Sequence, residues 1–260
     1  MQIRLDGRTN YDVTLDILRA HEPPEGYHLA FSGGKDSVVL LAMAKRAGVR
    51  YDAHYYNTTI DPPELLRLIR DHYPDVQFEN PKRSFNWHVR RRGLPTRRAR
   101  WCCADFKERH GKGRIVLSGI RAEESPKRAR RGIVETCLRD RSKTFIHAIR
   151  DWTAGEVWDF IRGEGLPYCS LYDEGWRRIG CVVCPMERRV ARSMARWPRI
   201  WQATHKAILY RWSTDAPHQN RWRDGEAFWQ WWLDRDAPLP PELDQEPEGL
   251  PSLLFSAGSD

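Results

Sequence analysis

The chain has 260 residues, 30% charged and 40% hydrophobic, enough for one large domain or a domain with an appendage, and for a substantial core. Its 43 Lys and Arg against 35 Asp and Glu give a net charge of +8, and the opening stretch MQIRLDGRTNYDVTL carries charges where an export signal holds its apolar centre. No apolar run nears the length that crosses a bilayer, so a protein with no membrane partner, located in the cytoplasm, is the expectation.

Residues 1–24 form an N-terminal segment without an assigned element. YHLAF (27–31) reads as a short buried strand. Asp36 to Ala47 reads as a helix with Val38, Leu41 and Ala42 on its apolar face, stopped at Gly48. The alternation continues with a strand at 51–57, a helix from Pro62 to His72 and a strand at 76–80. RIVLSGI (114–120) and TFIHAI (144–149) read as strands and TAGEVWDFIR (153–162) as a helix, with Asp151 as its cap and Trp152 as a core anchor. Strands alternating with helices predict an α/β fold, a doubly wound and mainly parallel sheet. From about residue 186 the sequence turns helical and holds seven of the twelve tryptophans, an extension expected over 186–236. Tryptophans at helical spacing are read first as core. Residues 237–260 are Pro-rich and acidic and predict a loosely docked tail.

Between the first strand and helix stands Ser32-Gly33-Gly34-Lys35-Asp36-Ser37. Glycines let the backbone approach a ligand, and successive N–H groups at a helix start face an anion. Ser32 and Ser37 add hydroxyl donors, Lys35 adds charge, and Asp36 caps the helix or helps hold a metal. The pattern is neither the G-x-x-x-x-G-K-[ST] loop nor the G-x-G-x-x-G turn.

Six cysteines in a cytoplasmic protein are not expected to form a disulfide framework. The adjacent pair Cys102-Cys103 and the distant Cys181-x-x-Cys184 supply four thiolates, suited to zinc or to an iron–sulfur cluster, and spacing does not choose between them. Cys169 is a candidate substitute for one of the pair, and Cys137 is expected to be a buried structural thiol. Residues 81–131 carry 17 Lys and Arg against four acids, a concentration that suggests an anionic partner.

Several stretches resemble the phosphoadenosine-phosphosulfate (PAPS) reductase family of the PP-loop ATP-pyrophosphatase, or adenine nucleotide alpha hydrolase-like, superfamily. SGGKDS (32–37) resembles the PP-loop itself. NTTIDPPEL (57–65), RARWCCADFK (98–107), GIRAEESPKR (119–128), IRDWTAGEVWDFI (149–161) and LYDEGWRRIGCVVCP (171–185) follow in the family's order. The resemblance implies a PP-loop domain over 25–185 that binds ATP or an adenylyl sulfonucleotide, with magnesium as a candidate cofactor. It implies a [4Fe–4S] cluster on Cys102, Cys103, Cys181 and Cys184, with Lys107, Arg100 and Arg178 offsetting its charge. It gives Lys35, Asp36 and Arg121 catalytic roles, and places Ser32, Gly33, Gly34, Ser37, Asp61, Glu124, Ser125 and Arg128 around the nucleotide. Asp61 and Glu64 are candidates to orient ribose, metal or acceptor, and an acid at a helix start explains Glu64 almost as well.

Family reductases carry a nucleophilic cysteine in a late Glu-Cys-Gly-x-His stretch, and residues 185–260 contain neither that stretch nor any cysteine. The leading expectation is therefore an enzyme that adenylates a substrate, a tRNA or DNA acceptor among the candidates, for sulfur transfer, with a sulfur or electron donor protein as partner. Reduction of adenylyl sulfate or PAPS to sulfite is the alternative. A non-catalytic module that binds nucleic acid or a partner is the second.

Overall fold

The computed structural model describes residues 7–138, 140–214 and 222–234, and the acidic tail expected at 237–260 lies outside them. Its chain divides into two compact units. One takes in the chain up to Asn57, Asp61–Asn80 and Arg109–Gly180; the other takes in Thr58–Ile60, Pro81–Glu108 and the described residues from Cys181 onward. No helix among the described residues is long and apolar enough to cross a membrane.

The first unit is built on six strands: β1 Tyr27–Ala30, β2 Tyr51–Tyr56, β3 Gln77–Glu79, β4 Ile115–Leu117, β5 Val134–Thr136 and β6 Thr144–Ile146. They lie in the order β3-β2-β1-β4-β6-β5. All neighbours are parallel except β5, which runs antiparallel to β6 at the edge. The sheet is the mainly parallel α/β sheet that the alternation predicts. Register puts Leu29, Ala53 and Tyr55, Leu117 and Ile146 on one face, and all five are buried. The other face carries His28, Asp52, His54, Tyr56 and Glu79.

Among the described residues, five α-helices belong to this unit. α1 Asn10–Ala20 starts at Thr9, which forms a capping box with Asp12. It was not expected from the sequence, because its buried positions are Asn10, Thr14 and Leu18, two of them polar. α2 Lys35–Ala47 follows β1 and ends at Gly48, whose φ of 71° is the left-handed stop that glycine adopts freely. Its N-cap is Gly34 with no side-chain cap, so Asp36 is a first-turn acid and not the cap. α3 Pro63–His72 begins with proline at a first-turn position and buries Leu65, Leu68 and Ile69. The remaining two flank the later strands. The four-residue α6 Pro126–Ala129 starts at Ser125, and α7 Ala154–Gly163 is capped by Thr153 boxed with Glu156, in place of the expected Asp151. Trp152 is a core anchor, fully buried with its indole N–H on Thr14 Oγ1 at 2.9 Å.

In the second unit α4 Phe85–Arg92 precedes the short α5 Trp101–Cys103, which runs into a π-helical turn at Ala104–Glu108. Then come α8 Val190–Arg196, α9 Pro198–Ser213 and α10 Gly225–Leu233. Trp197, Trp201, Trp229 and Trp232 are buried, and rings of Trp201, Trp229 and Trp232 lie about 6 Å apart, so these tryptophans form core.

Candidate functional site

Ligand sites in open parallel sheets form beyond the carboxyl ends of the strands where strand order reverses. Here the reversal lies between β1 and β4. β1 leads into Ser32–Ser37 and β4 into Gly119 and Arg121, so the SGGKDS turn and the GIRAEE loop meet at that crevice. Gly33 has φ +69°, and a Cβ there would stand 2.5 Å from Leu65 Cδ1 and 3.0 Å from Ile69 Cδ1. Gly119 lies against the start of α2, its missing Cβ only 3.2 Å from the Asp36 carbonyl carbon. Both glycines let two backbones approach closely.

Within the turn, the Ser32 and Ser37 hydroxyls are 3.1 Å apart. Ser37 Oγ donates to the Gly34 carbonyl at 2.8 Å, while the Gly34 N–H points to Ser32 Oγ at 3.3 Å. The Lys35 N–H donates to the Tyr172 hydroxyl at 3.0 Å. Tyr172 sits in the 3-10 turn Ser170–Tyr172, and burial pushes its ionisation well above the ordinary tyrosine range. A phenol oxygen thus occupies the first amide of α2. Nothing in the local sequence signals this contact, since Tyr172 lies 137 residues from Lys35.

Lys35, Asp36 and Arg121 come together as the sequence suggests, in a definite arrangement. The Asp36 carboxylate receives Lys35 Nζ at 2.8 Å on one oxygen and Arg121 Nε at 2.6 Å on the other. Arg121, 4% exposed, also donates to Glu123 at 2.7 Å and to the Trp152 carbonyl at 3.2 Å. Glu123 in turn accepts the Ala154 N–H at the start of α7 at 2.6 Å. Glu123 thus ties Arg121 to the start of α7, a contact that sequence reasoning passed over. Burial opposes the Arg121 charge, but the facing Asp36 carboxylate holds the guanidinium cationic. Asp36 therefore aims two cations and presents less free carboxylate to a metal than expected.

The rest of the loop binds itself. Glu124 accepts the Arg121 N–H at 3.0 Å and pairs with the Arg128 guanidinium, while Ser125 caps α6 by accepting the Arg128 N–H at 3.3 Å. Asp61 is buried and accepts from the Tyr55 hydroxyl at 2.7 Å. Glu64 stands in the first turn of α3.

The four cysteines of the paired motifs, Cys102, Cys103, Cys181 and Cys184, all belong to the second unit, half-exposed and free of disulfides. Interaction between the adjacent thiols pushes the Cys103 pKa down, with help from Lys107 and Arg100, and the Cys102 pKa up, to which the Cys181 and Cys184 sulfurs add negative charge. Lys107 Nζ reaches Cys181 Sγ at 3.5 Å. The 181–184 loop is anchored by its buried valines: the Val182 N–H donates to the Ile60 carbonyl at 2.8 Å, and Val182 and Val183 are almost fully covered. Arg178 falls in the first unit. So does Cys169, which is fully buried, burial raising its thiol pKa. Cys137, expected buried, is half-exposed because it directly follows β5 at the sheet edge.

Basic side chains of the second unit lie on aromatic rings. Arg83 and Arg91 stand 5.3 and 4.3 Å from the Trp87 ring, and Arg90 is 4.8 Å from the exposed ring of Tyr210. Arg92 is 4.4 Å from Trp101. Such stacks hold guanidinium groups at a surface where anions can meet them.

The family profile described as "Phosphoadenosine phosphosulfate reductase domain" matches residues 26–187. The chain is 30% identical over 189 residues to the "Uncharacterized protein MJ0066" of Methanocaldococcus jannaschii, an alignment covering 67% of this chain and 39% of that protein. It is 31% identical over 165 residues to a phosphoadenosine 5'-phosphosulfate reductase of Gloeobacter violaceus, covering 59% of this chain and 68% of the relative. The crystal structure of the PAPS reductase from Candida auris, a phosphate complex, superposes with a TM-score of 0.53 at 18% identity. That superposition covers 70% of this chain and 97% of the other, and it shows a shared fold.

Proposed function

Because the chain belongs to the phosphoadenosine phosphosulfate reductase family, we propose that its first unit grips the phosphates of an adenine nucleotide at the β1–β4 crevice. We propose further that it activates a substrate by adenylation for sulfur transfer. The observation that carries the reading is the placement of the SGGKDS turn and Arg121 together where strand order reverses.

In this reading the turn at Ser32, Gly33, Gly34 and Ser37 cradles the phosphoryl oxygens with amide and hydroxyl donors. Lys35 and Arg121 face the charge that builds on pyrophosphate as an acceptor oxygen attacks the α-phosphorus of ATP. Asp36 positions both cations, and a magnesium ion on the phosphates would share that task. Glu124, Ser125 and Arg128 lie in the loop and short helix after β4 and Asp61 in the β2–α3 connection, and each would reach the nucleotide only by exchanging its present partners. Sulfur then displaces AMP from the activated acceptor.

Four thiols in one unit, none of them in a disulfide and with Lys107 and Arg100 beside them, form a donor set suited to an iron–sulfur cluster. Cys102, Cys103, Cys181 and Cys184 would hold a [4Fe–4S] cluster, which supplies a site for binding or handing over sulfur. The arginine–aromatic stacks on α4 suit a tRNA or DNA acceptor, by phosphate contacts and ring stacking. A donor protein for sulfur would complete the cycle.

Protein purified without oxygen is expected to convert ATP to AMP and pyrophosphate in the presence of acceptor, and to contain iron and sulfide. Sulfite released from adenylyl sulfate or PAPS with no ATP turnover would favour the reductase instead, and zinc in place of iron would overturn the cluster. The Gly34→Ala variant isolates the cradle. A Cβ there meets Ser32 Oγ at 3.4 Å and Tyr172 Oη at 3.5 Å, ordinary contacts, and the backbone already lies at φ −75°. The fold should tolerate it within about 1 kcal/mol. ATP affinity, measured by equilibrium dialysis, should nonetheless fall about tenfold or more as the methyl blocks a phosphoryl oxygen. Intact affinity would remove the cradle from the site.

Tyr172→Phe should act in the opposite direction. With no phenol oxygen to displace from the Lys35 N–H, ATP should bind about two- to tenfold more tightly. Weaker binding in the same dialysis would place the hydroxyl among the ligand's own contacts.

A further inference from the structure

Away from the phosphate turn, the second sheet face carries polar side chains where a parallel sheet ordinarily presents apolar ones. His28 on β1 and Asp52 and His54 on β2 project from that face, in register with one another. Their donor atoms all lie within 4.8 Å of each other, the one such group of three or more among the described residues. Asp52 Oδ2 is 3.3 Å from His28 Nδ1 and 2.5 Å from His54 Nε2. From the structure we infer that His28 Nδ1, His54 Nε2 and Asp52 Oδ2 form a binding site for a divalent transition-metal ion of the zinc or cobalt class.

The outer atoms of all three groups are already held. The remaining nitrogen of His28 faces the Tyr56 hydroxyl at 2.8 Å. That of His54 faces a Glu79 carboxylate oxygen at 3.1 Å. The second oxygen of Asp52 pairs with the Arg114 guanidinium. Metal-bound imidazoles characteristically give their other ring N–H to a carboxylate or another oxygen, which fixes tautomer and orientation. Glu79 and Asp52 can both only accept, so either ring nitrogen of His54 can carry a hydrogen. With the N–H at Nδ1 on Glu79, the Nε2 lone pair faces Asp52 Oδ2 at 2.5 Å, and two electron-rich atoms so close need something positive between them. A proton would serve at one nitrogen; a metal ion would serve all three donors together.

The surroundings keep the rings in place. His28 and His54 are stacked with centroids 4.4 Å apart, and His110 stacks on Tyr56 at 3.8 Å. The next residue, Gly111, has φ +71° and lies directly against His28, where a Cβ would meet Val116 Cγ2 at 2.8 Å and His28 Cδ2 at 3.0 Å. His28 is 7% exposed and His54 13%, while Asp52 at 28% leaves a way in for an ion and open positions for water. Two imidazoles and one carboxylate suit zinc, cobalt, nickel or copper, whereas magnesium and calcium take oxygen ligands. The site lies roughly 13 Å along β1 from the SGGKDS turn, at about 3.3 Å per residue, and does not depend on the nucleotide reading.

Cobalt(II) titration of the full chain, stripped of metal and kept free of oxygen, tests the site, because the four cysteines provide an internal control. Cobalt on thiolates gives an intense sulfur-to-metal charge-transfer band; cobalt on nitrogen and oxygen gives none. The expected result is one equivalent of cobalt beyond those that raise the thiolate band, with imidazole-nitrogen couplings in the pulsed paramagnetic-resonance spectrum. His54→Gln should lose that equivalent and its couplings and keep the thiolate band. Equal cobalt uptake by wild type and His54→Gln would overturn the proposal. Should the variant fail to fold, absence of imidazole couplings in the wild-type protein would overturn it as well.

Discussion

Gly33→Ala is expected to destabilise the first unit by about 2–5 kcal/mol, the sum of a left-handed backbone penalty and overpacking. The backbone part follows from φ +69°, where any Cβ crowds its own carbonyl. The steric part follows from α3, whose Leu65 and Ile69 methyls stand 2.5 and 3.0 Å from the added carbon. Either α3 moves outward or the turn opens, and both changes pull Ser32 and Gly34 away from their present hydrogen bonds. Thermal unfolding should show a midpoint lower by on the order of 10 °C, together with loss of ATP binding. Gly48→Ala separates the two parts, since Gly48 has φ +71° with nothing within 4 Å of its added carbon. It should show only the backbone penalty, about 1 kcal/mol. Equal effects at the two positions would mean that the Leu65 contact does not constrain the turn.

Arg121→Met should lower stability by about 2–4 kcal/mol, because it removes one partner from a buried ion pair and leaves the other. Asp36 would keep Lys35 alone, and the Trp152 carbonyl would lose its donor. Glu123 would still hold the Ala154 N–H, so the start of α7 should survive. Nucleotide affinity should fall about 10- to 100-fold, the range of a charge-assisted hydrogen bond to an anion. Arg121→Lys should recover part of the stability and little of the affinity, since an ammonium group cannot serve Asp36, Glu123 and a phosphate with one fixed fork. Wild-type ATP affinity in Arg121→Met, measured on protein shown to be folded, would remove Arg121 from the site and leave it a structural cation.

Much of this was legible before any coordinates, for a physical reason. A strand running through glycines into a helix is a local event, governed by φ/ψ limits and by the period of apolar residues. The read elements β1, α2, β2, α3, β3, β4, β6 and α7 accordingly stand where expected, within a few residues at each end. The elements without a signal lacked that periodicity. α1 buries Asn10 and Thr14 through hydrogen bonds to the Asp151 and Ala148 carbonyls, and β5 is a three-residue edge strand with half of its surface open.

The sequence alone determined which backbone turn has the freedom to face an anion, because glycine freedom is a property of a short stretch. Only the tertiary structure decided what each charge touches. Asp36 meets an arginine 85 residues away, Lys35 offers its amide to a tyrosine 137 residues away, and His28 finds Asp52 across a strand pair. Electrostatic and hydrogen-bond energies depend on distances of a few ångströms between side chains, and chain order does not encode those distances until the sheet has brought its strands together.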